Sequence, residues 1–245
     1  MRRYWYAAIL LVAALAQAQA GQAYIAVAAN FIDTAKEIAA AFKAHTGHDA
    51  ILSFGSSGLF YTQIKQQAPF EVFLSADEAR PKALVQEGEA VAGSRFTYAV
   101  GQLVLWSRSE ATVKGGDTLK NPALKKIAIA NPVAAPYGAA AIETLQALKL
   151  YEVLKPKIVE GSSIAQAFQF VETGNADLGF IALSQIITTS AGSRWQVPQH
   201  LYTPIRQDAI LLKRGERNEA AIAFLAFLKG PEARAIIGRH GYAFE

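Results

Sequence analysis

Short apolar runs rich in β-branched and aromatic residues alternate along this chain with stretches of helical period, and that alternation limits the possible folds more than any other feature. The runs cover residues 24–28, 51–54, 72–74, 103–106, 127–130, 178–181 and 209–212. Between them, Ala35, Ile38, Ala39 and Phe42 recur on one helical face ahead of Gly47, a residue suited to a helix C-terminus. Ile142, Leu145 and Leu148 repeat the pattern, as do Ile164, Phe168 and Val171 ahead of Gly174. Strands that are apolar on both faces need cover on both faces, and the helical stretches supply it. The expectation is an α/β protein with parallel sheets. No internal repeat and no low-complexity linker interrupts it.

The chemistry lies in the loops after four of the strands. Residues 24–28 run into Ala29-Asn30-Phe31 and a helix, and 51–54 run into Gly55-Ser56-Ser57-Gly58 and a helix. Residues 127–130 lead to Ala135-Pro136-Tyr137-Gly138, and 157–159 lead to Gly161-Ser162-Ser163-Ile164, each again before a helical period. Small or capping residues at such a junction mark a helix N-terminus at the carboxyl end of a strand. Helix N-termini offer unpaired backbone N–H groups and the positive end of the helix dipole, so several of them converging hold an anion without lysine or arginine. The four loops contain no arginine, lysine or histidine. Asn30, Ser57 and Tyr137 can add side-chain donors. Taken singly, Asn30, Ser56 and Ser163 are ordinary caps and Ile164 an ordinary core residue; the weight lies in the fourfold recurrence.

The N-terminus has the form of an export signal over residues 1–20: Arg2 and Arg3, an uncharged run at 7–16, then Ala18-Gln19-Ala20 as a cleavage site. The run is shorter than the roughly 20 residues a spanning helix needs. Export implies a periplasmic protein. The chain has no cysteine, so its stability comes from its core and not from cross-links, and a lipid anchor at the cleavage point is excluded. Arg2 and Arg3 supply two of the four net positive charges. No basic cluster of nucleic-acid type remains, since Lys213-Arg214-Gly215-Glu216-Arg217 contains an acid and reads as a solvated turn.

The motifs Val27-Ala28-Ala29-Asn30-Phe31, Ser53-Phe54-Gly55-Ser56-Ser57-Gly58, Phe70-Glu71-Val72-Phe73-Leu74-Ser75-Ala76-Asp77 and Phe227-Leu228-Lys229-Gly230-Pro231-Glu232-Ala233 stand in the order found in the periplasmic molybdate-binding proteins of ABC transporters, and the chain resembles that family over nearly all its length after residue 20. The resemblance implies a periplasmic binding protein type II fold, with two α/β lobes and a ligand cleft between them. Lobe I would comprise 21–100 and 206–245, and lobe II 101–205, with crossings near 97–102 and 202–206. It implies a monomer that binds one tetrahedral oxyanion, molybdate or tungstate, with molybdenum present only as that oxyanion. The same likeness implies no cofactor and an inner-membrane permease as partner. Carried over by motif, Asn30 and Ser57 would bind from the first lobe, with Ala29 beside them, and Tyr137 and Ile164 from the second, Ile164 through its backbone N–H. One departure stands out: some members place a ligand tyrosine after the strand that corresponds to Leu178-Gly179-Phe180-Ile181-Ala182, where this chain has no hydroxyl.

An enzyme is the weaker alternative. Gly55-Ser56-Ser57-Gly58 is superficially like a nucleophile elbow, but Gly-x-Ser-x-Gly needs glycine at position 59, which is Leu59. His45 and His48 alone are a weak zinc signal. Adjacent Asp77 and Glu78 make a poor acid–base pair. Sulfate, phosphate and a ferric complex are the other ligands to weigh; the last calls for clustered tyrosines or carboxylates, and the loops offer only Tyr137 and Glu160.

Overall fold

The computed structural model describes residues 20–245; the export signal expected at 1–20 falls, but for its last residue, outside them. In chain order the elements are β1 (Gln22–Ala28), α1 (Ile32–Thr46), β2 (Asp49–Gly55), α2 (Ser57–Lys65), β3 (Val72–Leu74), α3 (Ala79–Gln86), β4 (Phe96–Gly101), β5 (Leu103–Ser107), β6 (Ile127–Ala130), α4 (Pro136–Ala147), α5 (Tyr151–Leu154), β7 (Ile158–Gly161), α6 (Ile164–Glu172), β8 (Leu178–Ala182), β9 (Ser193–Gln196), β10 (Ile205–Leu211), α7 (Glu219–Lys229) and α8 (Pro231–Arg239). They form two five-stranded sheets, ordered β2-β1-β3-β10-β4 and β7-β6-β8-β5-β9. Each sheet with its helices is one lobe of a two-lobed α/β protein. Among the described residues no helix is long and apolar enough to cross a membrane.

Neither sheet is wholly parallel, which corrects the expectation from alternation. β1 pairs in parallel with β2 and β3, but β10 runs antiparallel to both β3 and β4. In the second lobe β6 is parallel to β7 and β8, while β5 is antiparallel to β8 and β9. The reason is the route of the chain. The parallel strands end at the cleft. Gln102 alone separates β4, in the first sheet, from β5, in the second. A strand that begins where the chain has just crossed must run away from the cleft, and both β5 and β10 begin there. Two crossings therefore reverse one strand in each sheet. The sequence marks the residues of β4 only as a crossing segment, and it gives no sign of the short polar edge strand β9.

The first sheet is covered on both faces, as its apolar strands require. Ile25, Val27, Val72 and Leu74 pack with Phe31, Ile38, Phe42, Phe224 and Ile237 under α1, α7 and α8. The alternate residues Ala26, Phe73 and Ile210 point the other way, onto Phe60, Ile64 and Leu84 of α2 and α3. α1 stops where Gly47 takes φ 78°, a left-handed conformation suited to glycine, and its N–H returns to the Lys43 carbonyl. The second sheet carries its own core, from Leu103 and Leu105 through Ile127, Ile129, Leu145 and Val171 to Phe180. Two packed lobes joined by short crossings put the strand ends, and the helix starts after them, against one another.

Candidate functional site

Each of the four junctions forms a helix start. β1 ends at Ala28, and Ala29–Phe31 make one 3-10 turn that leads into α1. Ser56 caps α2 from an extended conformation, its hydroxyl accepting from the Leu59 N–H at 3.4 Å. Pro136 occupies the first turn of α4, where its missing N–H costs nothing. The carboxamide oxygen of Asn131 holds the loop before it by accepting from the N–H groups of Val133 and Ala134, each at 3.0 Å. Ser163 caps α6 through the Gln166 N–H, and the side chain of Gln185 holds the same helix start by donating to the Ile164 carbonyl at 3.2 Å.

These starts enclose one small cavity, lined by Ala28, Ala29, Asn30, Ser56, Ser57, Ala76, Ala135, Pro136, Tyr137 and Ile164. All five residues singled out from the sequence, Ala29, Asn30, Ser57, Tyr137 and Ile164, are among them. The first two strand-end loops belong to one lobe and the last two to the other. The free volume is about 10 Å³, by the measure in which one water needs roughly 10–15 Å³, so the lobes are shut tightly around the point where the helix starts meet. A larger groove of about 1040 Å³ opens beside it between α2, α3 and the loop after β6. It shares Ser56 with the small cavity, but the Gly58 N–H, the Asn131 carboxamide and the Arg80 guanidinium on its wall already have partners.

The donors facing the small cavity are neutral and held in place. The first-turn N–H groups of Ser57, Tyr137 and Ile164 have no acceptor among the described residues, as expected at helix starts. The Ser57 hydroxyl oxygen accepts from the Ala76 N–H at 2.9 Å, which occupies an acceptor position and leaves its proton to be given elsewhere. Tyr137 is fully buried, and its hydroxyl oxygen accepts from the Gln207 carboxamide at 3.2 Å. The Asn30 carboxamide departs from the expectation of a free donor. Its nitrogen donates to Gln207 Oε1 at 2.9 Å and to the Tyr242 hydroxyl at 3.0 Å, so this side chain is tied into the wall. Burial holds the phenols of Tyr98, Tyr137 and Tyr242 well above the usual tyrosine range, and they stay protonated.

Among the described residues no carboxylate lines the cavity. Asp77 accepts from the Arg80 backbone N–H at 2.8 Å and is ion-paired with its guanidinium, and Glu160 accepts from the Asn131 side chain at 3.1 Å on the exposed side. Among the described residues no group of three or more histidines and carboxylates is placed to hold a metal ion. The arrangement can solvate an anion with dipoles and hydroxyl protons. It offers no nucleophile paired with a base.

Contacts across the cleft close the lobes on each other. The Gly58 N–H donates to the Ala134 carbonyl at 2.9 Å, and Arg80 Nη2 to the Val133 carbonyl at 2.7 Å. On the far side of the cavity the Ser184 hydroxyl donates to the Asn30 carbonyl at 2.8 Å, and the Tyr242 hydroxyl reaches both that carbonyl, at 2.7 Å, and Ser184, at 3.0 Å. Ser184 stands two residues beyond Ala182, where the sequence shows no hydroxyl, and bonds across the cleft to Asn30 and Tyr242. Sequence reasoning misses Ala76, Tyr98, Ser184, Gln207 and Tyr242 as parts of this region. The one local signal is the polar pair Gln207-Asp208 directly ahead of the apolar run 209–212, both residues having no exposure in the structure.

Comparison with known proteins agrees with this architecture. Residues 23–243 match the family model described as bacterial extracellular solute-binding protein. The molybdate-binding protein ModA of Rhodobacter capsulatus is 57% identical over 239 residues, which span 97% of this chain and 95% of that protein. The molybdate-binding protein ModA of Azotobacter vinelandii is 54% identical, over 93% of this chain and 92% of that one. The solved structure of the Azotobacter vinelandii periplasmic molybdate-binding protein superposes with a TM-score of 0.88 at 43% identity, covering 91% of this chain and 99% of that chain.

Proposed function

This chain belongs to the bacterial extracellular solute-binding proteins, and from that premise we propose that it captures molybdate, with tungstate as its near equivalent, in the periplasm and delivers it to an ABC permease. The observation that carries the reading is the small two-lobed cavity walled by helix starts and hydroxyls, with neither a basic side chain nor a carboxylate in it. Such a wall fits a small oxyanion that carries no proton. The names of the relatives support molybdate within that class. Ala29, Asn30, Ser57, Tyr137 and Ile164 are the proposed ligand-binding residues, Asn30 through its backbone. No chemical step is proposed, since the cavity wall has no acid–base pair.

Calorimetry of the exported form with molybdate, tungstate, sulfate and phosphate tests this directly, and the expected result is one anion per chain with molybdate and tungstate strongest. A ligand bound to the native state alone stabilises it by mass action, by about 2.7 kcal/mol at a hundredfold excess over Kd, so molybdate should also raise Tm. Absence of heat and of any Tm shift with all four anions would defeat the reading. Ser57→Ala should weaken molybdate by about 1–3 kcal/mol, the range for a hydrogen bond to a charged partner. Its unliganded Tm should fall modestly as well, because the buried Ala76 N–H loses its acceptor; titration and thermal unfolding of variant and parent side by side would show both.

A further inference from the structure

Gln207 lines no part of the cavity, yet it joins the two lobes behind it. It lies on β10 with no exposure. Its Oε1 accepts from Asn30 Nδ2 at 2.9 Å and from the Tyr98 hydroxyl at 3.0 Å, while its Nε2 donates to the Tyr137 hydroxyl at 3.2 Å. Asn30 is on the first lobe and Tyr137 on the second. The two carboxamides are matched, the Gln207 oxygen against the Asn30 NH₂. Rotating the Gln207 carboxamide alone by half a turn would set its NH₂ against the NH₂ of Asn30, and a buried donor left without an acceptor is costly. With Nε2 held toward Tyr137, the phenol oxygen accepts and its single proton is turned away from Gln207. Among the described residues nothing accepts that proton. The backbone leaves room for the pair, because a Cβ on Gly101 would overlap the Tyr137 hydroxyl and lie 2.7 Å from Gln207 Nε2.

Resting on the reading of the cavity as an oxyanion site, we propose that Gln207 is a positioning residue that sets the hydrogen-bond direction of the site: it anchors Asn30, makes the Tyr137 oxygen an acceptor, and so keeps the Tyr137 proton for the bound anion. A carboxamide does this and a carboxylate cannot. In Gln207→Glu both oxygens accept, the Tyr137 proton turns back to residue 207, and a negative charge sits behind an anion. Protonation of the introduced carboxylate restores a donor toward Tyr137. Burial raises the pKa of such a carboxyl toward neutrality. The groups facing it are Tyr98 and Tyr137, with Tyr242 behind Asn30, all phenols held protonated by burial. Asp208, the next residue, is turned to Thr97 and Arg95 on the other side of the strand. The introduced carboxyl would be the one group of this network to titrate in the neutral range.

The experiment is calorimetry with molybdate at pH 6.0 and pH 8.5 on the wild type, Gln207→Glu and Gln207→Leu, with thermal unfolding of each. The wild type should change less than about threefold between the two pH values. Gln207→Glu should bind roughly tenfold or more weakly at pH 8.5 and recover most of the loss at pH 6.0, whereas Gln207→Leu should be weak and flat, a loss on the order of five- to a hundredfold. Tyr137→Phe keeps the ring and the packing, and gives a second readout if Gln207→Glu does not fold: it should lose a comparable factor at both pH values. A Gln207→Glu variant that binds like the wild type at both pH values, one indistinguishable from Gln207→Leu at both, or a Tyr137→Phe variant of unchanged affinity would each overturn the proposal while leaving the oxyanion site standing. A wild type that binds neither molybdate, tungstate nor sulfate would overturn the site reading and this proposal with it.

Discussion

Gly58→Ala should weaken molybdate binding by about 10- to 100-fold while leaving the unliganded protein as stable as before, or more so. A Cβ at Gly58 would stand 2.9 Å from the Ala134 Cα and 3.1 Å from its carbonyl oxygen, both backbone atoms of the opposite lobe. Backbone cannot swing aside as a side chain does, so closure would have to stop short, and the Gly58 N–H bond to Ala134 would stretch with it. Overpacking of this kind costs about 1–3 kcal/mol, and that cost falls on the closed state alone. When the binding-competent state becomes rarer, apparent affinity drops by the same factor. Within its own lobe the substitution has the opposite sign. Gly58 lies in the first turn of α2 with an ordinary helical backbone, where alanine is favoured over glycine by up to about 1 kcal/mol. A rise or no change in unliganded Tm together with a fall in affinity would identify the contact as one made by closure. Equal affinity in variant and parent would mean that the protein binds its ligand without bringing these loops together.

The sequence reveals this region as loops and not as a closed cavity, and the reason is range. Capping residues, the spacing of Ile164, Phe168 and Val171, and the glycine after a helix are all local signals, so the four strand-to-helix junctions can be found one by one. Ala29, Asn30, Ser57, Tyr137 and Ile164 consequently come together around one cavity. What Asn30 does with its side chain depends on Gln207 and Tyr242, 177 and 212 residues away in the chain. No periodicity carries that. The reversed strands are of the same kind: an apolar run does not state which neighbour it pairs with or in which direction, so β10 can be placed as a strand but not as one antiparallel to β3. Its start is also hidden, because Gln207 and Asp208 look like a loop until their buried partners are known.

That buried polarity also governs what the site excludes. At pH 7 molybdate should hold its place against phosphate by a factor of about a hundred or more. Hydrogen phosphate brings an O–H that must find an acceptor, and three of the nearest are already engaged: Ser57 Oγ by the Ala76 N–H, the Tyr137 oxygen by Gln207, and the Asn30 carbonyl by Ser184 and Tyr242. Asp77 and Glu160, the two carboxylates near these loops in sequence, are turned to Arg80 and Asn131. An unpaired buried O–H costs on the order of 1–3 kcal/mol, and a site built to pair every group of its own ligand rejects a mismatched one by more than that. Lowering the pH from 7 to 6 should widen the margin, since phosphate then gains a second proton and loses charge. Sulfate, which carries no proton in this range, escapes this penalty and is opposed by size alone, so it should compete better than phosphate. Competition calorimetry against bound molybdate measures all three at once. Displacement by phosphate at comparable concentration, or phosphate ahead of sulfate, would place an acceptor inside the cavity and remove the basis for a wall made of donors.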